Sequence, residues 1–133
     1  MEQSKLLQLS KINYQTYYER RLFVQNKERI AFVPFEDQVS ETKDMWFEIT
    51  TKLVSSITAR LNEIDNLSFQ EHLRYLALRN YEIHERKSKG SNPAITFLDL
   101  PQAQQIGWLK ATEAVLRNTA KILMDIADSS GSF

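Results

Sequence analysis

The chain has 133 residues, no cysteine, and 17 Lys and Arg residues balanced by 17 Asp and Glu residues. The absence of cysteine excludes disulfides and thiolate metal sites and fits a reducing, cytoplasmic compartment. A net charge of zero argues against nucleic acid as the partner, because nucleic-acid-binding domains carry a basic footprint. No apolar run reaches the ~18 residues that a bilayer span needs, so we expect no membrane partner and a single domain over residues 1–133.

The first predicted helix covers residues 4–24, which contain neither glycine nor proline. Tyr14, Tyr17 and Tyr18 follow at three- and four-residue steps, so they lie on one side of this helix, and Arg21 lies one step further along the same side. Two interpretations are open. The rings belong to the core with their hydroxyls at its boundary, or they form a ligand-facing aromatic surface together with Arg21.

A second helix is predicted after a polar, basic stretch at 25–29 and a β-branched and aromatic run at 30–35. That run predicts a short strand or extended hook, which Pro34 ends. Ser40 is the expected N-cap of the second helix, because its side chain accepts from an early backbone N–H. The helix carries one long apolar stripe, made of Trp46, Ile49, Leu53, Ile57, Leu61 and Ile64.

The third and fourth helices follow in the second half of the chain. Ser68 and Glu71 have the spacing of a capping box, which predicts a third helix from Ser68 to about Arg86. Residues 87–93 predict a loop, and residues 94–97 repeat the hook. Pro101 suits the first turn of the last helix, with Asp99 near its cap. The last helix has so wide an apolar face that we expect a second buried side or an oligomer contact, and residues 129–133 predict a disordered tail.

A phenylalanine, an aspartate and a tryptophan recur at the same spacing 62 residues apart. The two sets are Phe35, Asp37 and Trp46 in the first half and Phe97, Asp99 and Trp108 in the second. Upstream, with one extra residue allowed, Tyr18 maps onto Tyr81. We therefore predict a mainly α fold in which two repeats of about 62 residues, at about 4–66 and 67–128, form four helices with short extended hooks or strands across a pseudo-twofold axis.

The sequence offers few groups for catalysis. The two histidines, His72 and His84, form neither a Glu-x-x-His nor a His-Glu-x-x-His pattern, so no metal site is predicted. His84 stands beside Glu82 and Glu85, which is typical of a solvated helix end. Neither a Gly-rich phosphate loop nor a nucleophile elbow is present. We therefore predict a protein that is not an enzyme, has no catalytic residues and needs no cofactor.

The segment from residue 14 to residue 43 resembles the ryanodine-receptor repeat domain. It contains, in order, YQTYYERRL, FVPFED and Lys43. The family pattern has a helix with His-x-x-Trp and a following Arg, a Leu-Val-Pro-Tyr hook with acidic residues, and a helix that opens with Lys; Tyr14 and Tyr17 replace its His and Trp. The resemblance covers about residues 9–60. It implies helix-rich paired repeats, as in small bacterial and phage proteins, and a nucleotide-derived ligand.

The leading functional prediction is a non-enzymatic binding module for a nucleotide-like anionic small molecule. Tyrosine and arginine side chains stack on planar anions and pair with their charge. The predicted ligand-binding residues are Tyr14, Tyr17, Tyr18, Arg21, Phe35, Arg86 and Lys89. The alternative is a protein–protein adaptor or assembly protein that acts through its apolar helix faces, binding a protein partner or a second copy through the last helix. It would be virion-associated if of phage origin.

Overall fold

Four α-helices form the fold. The computed structural model describes residues 1–24, 33–61 and 68–130, with side chains in 1–21, 33–60 and 68–126. The helices are α1 Gln3–Val24, α2 Ser40–Leu61, α3 Phe69–Lys89 and α4 Gln102–Ser130, and two 3₁₀ turns, Phe35–Asp37 and Phe97–Asp99, precede α2 and α4. The predicted mainly α fold with four helices is confirmed, and none of the residues in these ranges belongs to a strand. Nor does any helix in them combine the length and apolar character that crossing a bilayer demands.

The helices close into a ring in which each packs against the next and α4 packs against α1. Glu48 of α2 pairs with Lys87 of α3, and the Arg60 guanidinium lies 3.7 Å from the centroid of the Tyr75 ring. These contacts make α2 and α3 antiparallel. The start of α2 and the end of α3 therefore lie at one end of the bundle, the upper end, and the end of α2 and the start of α3 lie at the lower end.

The core has an aromatic upper part and an aliphatic lower part. The upper part includes Tyr14, Tyr17, Phe35, Trp46, Ile49, Tyr81, Phe97 and Trp108, and the lower part Leu9, Leu53, Val54, Ile57, Leu76, Val115 and Leu116. Four residues of the predicted α2 stripe serve both parts: Trp46 and Ile49 lie in the upper part, and Leu53 and Ile57 in the lower. The Leu61 side chain and Ile64 lie outside the described residues. Burying one such side chain fully contributes about 1.5–3 kcal/mol to stability.

A layer of polar side chains separates the two parts of the core. Asn13, Thr50, Asn80 and Thr112, one from each helix, are fully buried. Asn13 Nδ2 donates to Thr50 Oγ1 (3.2 Å) and to Asn80 Oδ1 (3.1 Å). Asn80 Nδ2 donates in return to Asn13 Oδ1 (2.7 Å) and to Thr112 Oγ1 (3.2 Å). These hydrogen bonds offset the free-energy cost of burying two amides. Buried amides without partners would lower the stability of the fold. We call these four residues the polar layer.

The predicted cap of α3 is confirmed, and the predicted cap of α2 is wrong. Ser68 Oγ accepts from the Glu71 backbone N–H (3.2 Å), as the capping box predicts. The Glu71 carboxylate accepts from the Ser68 hydroxyl (3.3 Å). In α2 the Val39 carbonyl accepts from the Lys43 N–H (3.1 Å), so Ser40 lies inside the helix instead of capping it.

The predicted loop at 87–93 starts too early, because α3 continues through Lys89. Gly90 ends the helix in the left-handed conformation, with φ of 72°, and its N–H donates to the Arg86 carbonyl (2.9 Å). Glycine adopts this conformation without a Cβ penalty, so it sets the helix end. Arg86 and Lys89 therefore belong to the last turn of a helix.

The region before α4 differs from the prediction in two details. The Asp99 carboxylate accepts from the Thr96 hydroxyl (2.8 Å), so it closes the second 3₁₀ turn. Pro101 lies just before α4 and its carbonyl accepts from the Gln104 N–H (2.9 Å).

Residues 94–97 contain no strand, while residues 30–32 of the first predicted hook lie outside the described residues. α4 reaches Ser130, and residues 131–133 of the predicted tail also lie outside.

One pair of contacts relates the two halves of the chain. The Tyr14 hydroxyl donates to the Val33 carbonyl (2.5 Å), and the Tyr81 hydroxyl donates to the Ile95 carbonyl (2.6 Å). Each bond ties a helix to the segment that leads into a 3₁₀ turn. These contacts match Tyr81 with Tyr14, whereas the sequence comparison matched it with Tyr18. The duplication and its pseudo-twofold axis stay a prediction.

Gly107 marks a close approach of α4 to α1. A Cβ at this position would lie 3.0 Å from the Tyr17 carbonyl oxygen and 3.0 Å from its ring Cδ1. In an open helix Gly→Ala adds about 1 kcal/mol of stability. Here we expect Gly107→Ala to lower the free energy of unfolding by about 1–2 kcal/mol, because the backbone of α1 must move.

Urea unfolding of Gly107→Ala measures this effect. Lys110→Ala, an exposed change on the same helix, is the control and should stay within about 0.5 kcal/mol of wild type. A Gly107→Ala protein more stable than wild type would contradict the close approach.

Candidate functional site

Three of the seven predicted ligand-binding residues lie in the core. Tyr14, Tyr17 and Phe35 expose 3%, 4% and 4% of their surface. The Tyr14 ring packs 5.7 Å from the Phe35 ring and 5.5 Å from the Trp46 ring, centroid to centroid. For these three residues the core interpretation of the tyrosine face describes the structure. Their rings belong to one cluster of buried side chains.

The rings at the upper end stack around two tryptophans. Tyr17 stacks on Trp108 with ring centroids 3.9 Å apart at 29°. The Trp46 and Trp108 rings are 6.0 Å apart at 22°. The His84 ring lies 5.1 Å from each of the two indoles. This group forms an apolar floor beneath the charged side chains of the upper end.

Charged side chains of α1 and α3 lie near this floor, where the Arg21 and Lys89 charges both act on His84. Arg21 Nη1 donates to the Tyr17 hydroxyl (3.4 Å), and Lys89 Nζ pairs with Glu85 Oε2 (2.7 Å). His84 Nδ1 lies 3.6 Å from Glu85 Oε1. We call Tyr17, Arg21, His84, Glu85 and Lys89 the polar cap. It combines two cations with one carboxylate, and no group of three His, Asp or Glu side chains able to hold a metal occurs in the part of the chain described.

Burial controls the protonation of two members of the polar cap. It raises the pKa of Tyr17 to about 12, and the Arg21 charge opposes this rise. Burial also lowers the pKa of His84, against the opposing effect of the Glu85 carboxylate. The Arg21 and Lys89 charges lower the His84 pKa further. A neutral phenol and a neutral imidazole therefore lie near Arg21 and Lys89 at neutral pH.

The sequence analysis missed His84 and Glu85. The prediction that His84 ends a helix in solvent is wrong, since only 16% of its side chain is exposed. Ala77, Tyr81 and His84 recur at four- and three-residue steps, and the first two are buried. That spacing places His84 on the core face of α3 and was the available signal.

The remaining predicted residues divide between the upper end and the α3–α4 connection. Tyr18 is half-buried, with its ring centroid 5.0 Å from that of Tyr17, so it borders the polar cap. Arg86 Nε donates to Asn92 Oδ1 (2.9 Å) and its guanidinium lies 3.6 Å from Glu82. The structure thus brings Tyr17, Tyr18, Arg21 and Lys89 together and turns Arg86 towards the connection.

The lowered pKa of His84 predicts a stability change between pH 7.5 and 5. Below the unfolded-state pKa of about 6.5, the unfolded chain takes up a proton that folded His84 resists. Stability from this group is complete above that pKa and is lost as the pH falls towards the folded-state pKa, with a slope of at most about 1.4 kcal/mol per pH unit.

Urea unfolding at several pH values, compared between wild type and His84→Gln, isolates this contribution. The Glu36 and Glu48 carboxyls also have lowered pKa values, through their Lys11 and Lys87 partners, but they titrate below this window. We expect a shallower pH dependence in the variant. Parallel profiles would show that His84 makes no such contribution.

The chain was compared with protein-family models, curated proteins and solved structures. No protein-family model, curated protein or solved structure matches the chain. The resemblance to ryanodine-receptor repeats therefore rests on the motifs at residues 14–43 alone and stays an expectation.

Proposed function

We propose that the protein is a non-enzymatic, cytoplasmic binding module whose polar cap recognises a nucleotide-like anionic small molecule. The observation that carries the proposal is that the charges of Arg21 from α1 and Lys89 from α3 both act on the His84 imidazole, which packs against the stacked tryptophan rings. Guanidinium groups bind phosphate and carboxylate through two parallel hydrogen bonds, and lysine adds a mobile point charge. Two helices of a rigid bundle hold these groups.

Arg21 is already oriented for such a contact. Its guanidinium carbon lies 6.0 Å from the centroid of the Tyr17 ring, and one nitrogen donates to the Tyr17 hydroxyl. The other N–H groups of the fork donate to none of the described residues, so they can bind an anion. Because part of the side-chain entropy is already lost in the free protein, binding costs less.

Lys89 can be recruited at low cost. Its ion pair with Glu85 is largely exposed on the lysine side. Exposed pairs of this kind contribute about 0–1 kcal/mol, so an incoming phosphate competes with Glu85 effectively. Tyr18, half-buried at the border of the polar cap, offers ring surface against which a planar base can pack.

Isothermal titration with AMP, ADP, cyclic AMP and ADP-ribose tests the proposal. At least one of these should bind, and Arg21→Ala should weaken its binding at least tenfold, which corresponds to about 1.4 kcal/mol. Arg74→Ala, an exposed arginine on the lower half of α3, is the matched control and should leave the affinity unchanged. No heat with any ligand, or equal binding by Arg21→Ala, would refute the proposal.

A second candidate function is protein–protein interaction through α4. This helix has 29 residues against 21 or 22 in the other three, and its C-terminal part exposes Met124 and Ile126. An exposed apolar side chain at a helix end can be covered by a second copy of the chain. Light scattering of the wild type and Met124→Glu tests the homo-oligomer: a monomer at high concentration would exclude it.

A further inference from the structure

A concave surface lies on the side of the bundle, away from the polar cap. It is a cleft of about 320 Å³ between α1, the first 3₁₀ turn and the start of α2. Its lining residues are Ser4, Leu7, Gln8, Lys11, Phe35, Glu36 and Lys43. Lys11 precedes Arg21 by ten residues of α1, or about 15 Å along the helix axis, so the cleft is separate from the polar cap. Its volume lies at the lower end of the range for small-molecule sites, about 300–1,000 Å³.

The charges in the cleft leave one cation in excess. Lys11 pairs with Glu36, and this contact is the main cause of the lowered Glu36 pKa. Lys43 is half-buried, and no carboxylate of the described residues lies within ion-pairing distance of it. The cleft as a whole therefore carries two ammonium groups against one carboxylate. A single additional negative charge would balance it.

The other walls of the cleft are apolar. Leu7 exposes 48% of its surface at the rim, and the Phe35 ring, itself buried in the core, forms an inner wall. A ligand that covers a half-exposed leucine at the edge of a cleft gains affinity, because apolar surface of both partners leaves water. Apolar walls beside a cationic edge suit a molecule that has an apolar part and a negatively charged group.

We propose that this cleft binds a free medium-chain aliphatic carboxylate, with its head group at Lys43 and Lys11 and its chain against Leu7 and Phe35. The single excess positive charge fits a monoanion better than a doubly charged phosphate monoester. Glu36 competes with the ligand for Lys11, so it limits affinity. Phe35, the one predicted ligand-binding residue that lines the cleft, contacts the chain of the ligand in this arrangement.

Titration of the full-length protein with octanoate, followed by calorimetry, tests this site. Lys43→Gln should weaken octanoate binding at least fivefold, and Glu36→Gln should strengthen it severalfold because the competing carboxylate is gone. Lys52→Gln, an exposed lysine on the same helix outside the cleft, is the matched control and should bind like wild type. Octanol should bind more weakly than octanoate because it lacks the charge. Butanoate should bind at least tenfold more weakly than octanoate because it has four fewer CH₂ groups to bury.

Three results would overturn the proposal: no octanoate binding at millimolar concentration, equal affinity for octanoate and octanol, or no effect of Lys43→Gln. Arg21→Ala separates this site from the polar cap. It should weaken nucleotide binding at least tenfold and leave octanoate binding intact, so either proposal can fail without the other. Loss of octanoate binding in Arg21→Ala would place the octanoate at the polar cap and refute the cleft.

Discussion

Trp108→Ala is expected to lower the free energy of unfolding by about 3–5 kcal/mol, the largest effect of any single change considered for this chain. Trp108 exposes 1% of its surface and contacts the rings of Tyr17, Trp46, Tyr81 and His84. Removing the indole deletes apolar contact area and leaves a cavity that rings from three other helices cannot fill without shifting.

Urea or thermal unfolding measures this loss, with Leu98→Ala as the control. Leu98 is of similar apolar character but exposes 83% of its surface, so its truncation should change stability by less than about 0.5 kcal/mol. Trp46→Ala should lower the free energy of unfolding by nearly as much as Trp108→Ala. Because the two indoles contact each other, the double variant should lose less than the sum of the single variants. A loss below about 1 kcal/mol in Trp108→Ala would contradict the packing at the upper end.

The second large effect is expected in the polar layer. Asn80→Leu leaves Asn13 Oδ1 without the N–H that now donates to it at 2.7 Å. An unpaired buried acceptor of this kind costs about 1–3 kcal/mol, so we expect a loss of about 2–3 kcal/mol for Asn80→Leu and the same for Asn13→Leu.

A double-mutant cycle separates this penalty from a general loss of packing. Asn13→Leu with Asn80→Leu removes both buried amides, so the double variant should be more stable than the sum of the singles by about 2 kcal/mol. Asn118→Leu is the control, because the Asn118 amide donates only to the Ala114 carbonyl of its own helix. Additive losses in the cycle would show that the two amides do not depend on each other.

The polar layer also bears on how one arrangement of helices is selected. A four-helix bundle with apolar faces alone tolerates small shifts of one helix along another. Asn13 and Asn80 can exchange both hydrogen bonds only in one register of α1 and α3. We expect the Asn13→Leu, Asn80→Leu double variant to fold with less well-dispersed NMR signals, since buried polar pairs specify register in helical assemblies.

Local signals in the sequence predicted the helices well. The Ser68 capping box, the stripe of α2 and the glycine-free run at 4–24 each depend on neighbours within a few residues, and the structure confirms the elements that they predicted. The end of α3 was missed by three residues because Gly90, and not the polar residues before it, stops the helix. The prediction of Asp99 as a helix cap was wrong because its carboxylate accepts a hydrogen bond from Thr96, at the start of the second 3₁₀ turn, and not from α4.

Contacts between helices could not be predicted from the spacing of residues along the chain. The spacing of Tyr14 and Tyr17 placed both rings on one side of α1 but did not show that α2 and α4 cover that side. Gly107 allows α4 to approach Tyr17 closely, and this effect is visible only when both helices are in place. His84 likewise became part of the candidate site only because two tryptophans from other helices lie beside it.

The most direct test of the central claim, that the polar cap binds a nucleotide-like anion, uses the two indole N–H signals in the NMR spectrum. Trp46 and Trp108 are the only tryptophans of the chain, and both lie in the floor beneath the polar cap. A titration with AMP, ADP, cyclic AMP and ADP-ribose should shift at least one indole signal to saturation in the wild type and in Arg74→Ala, and not in Arg21→Ala. Two indole signals that stay unchanged with all four ligands at millimolar concentration would contradict the claim.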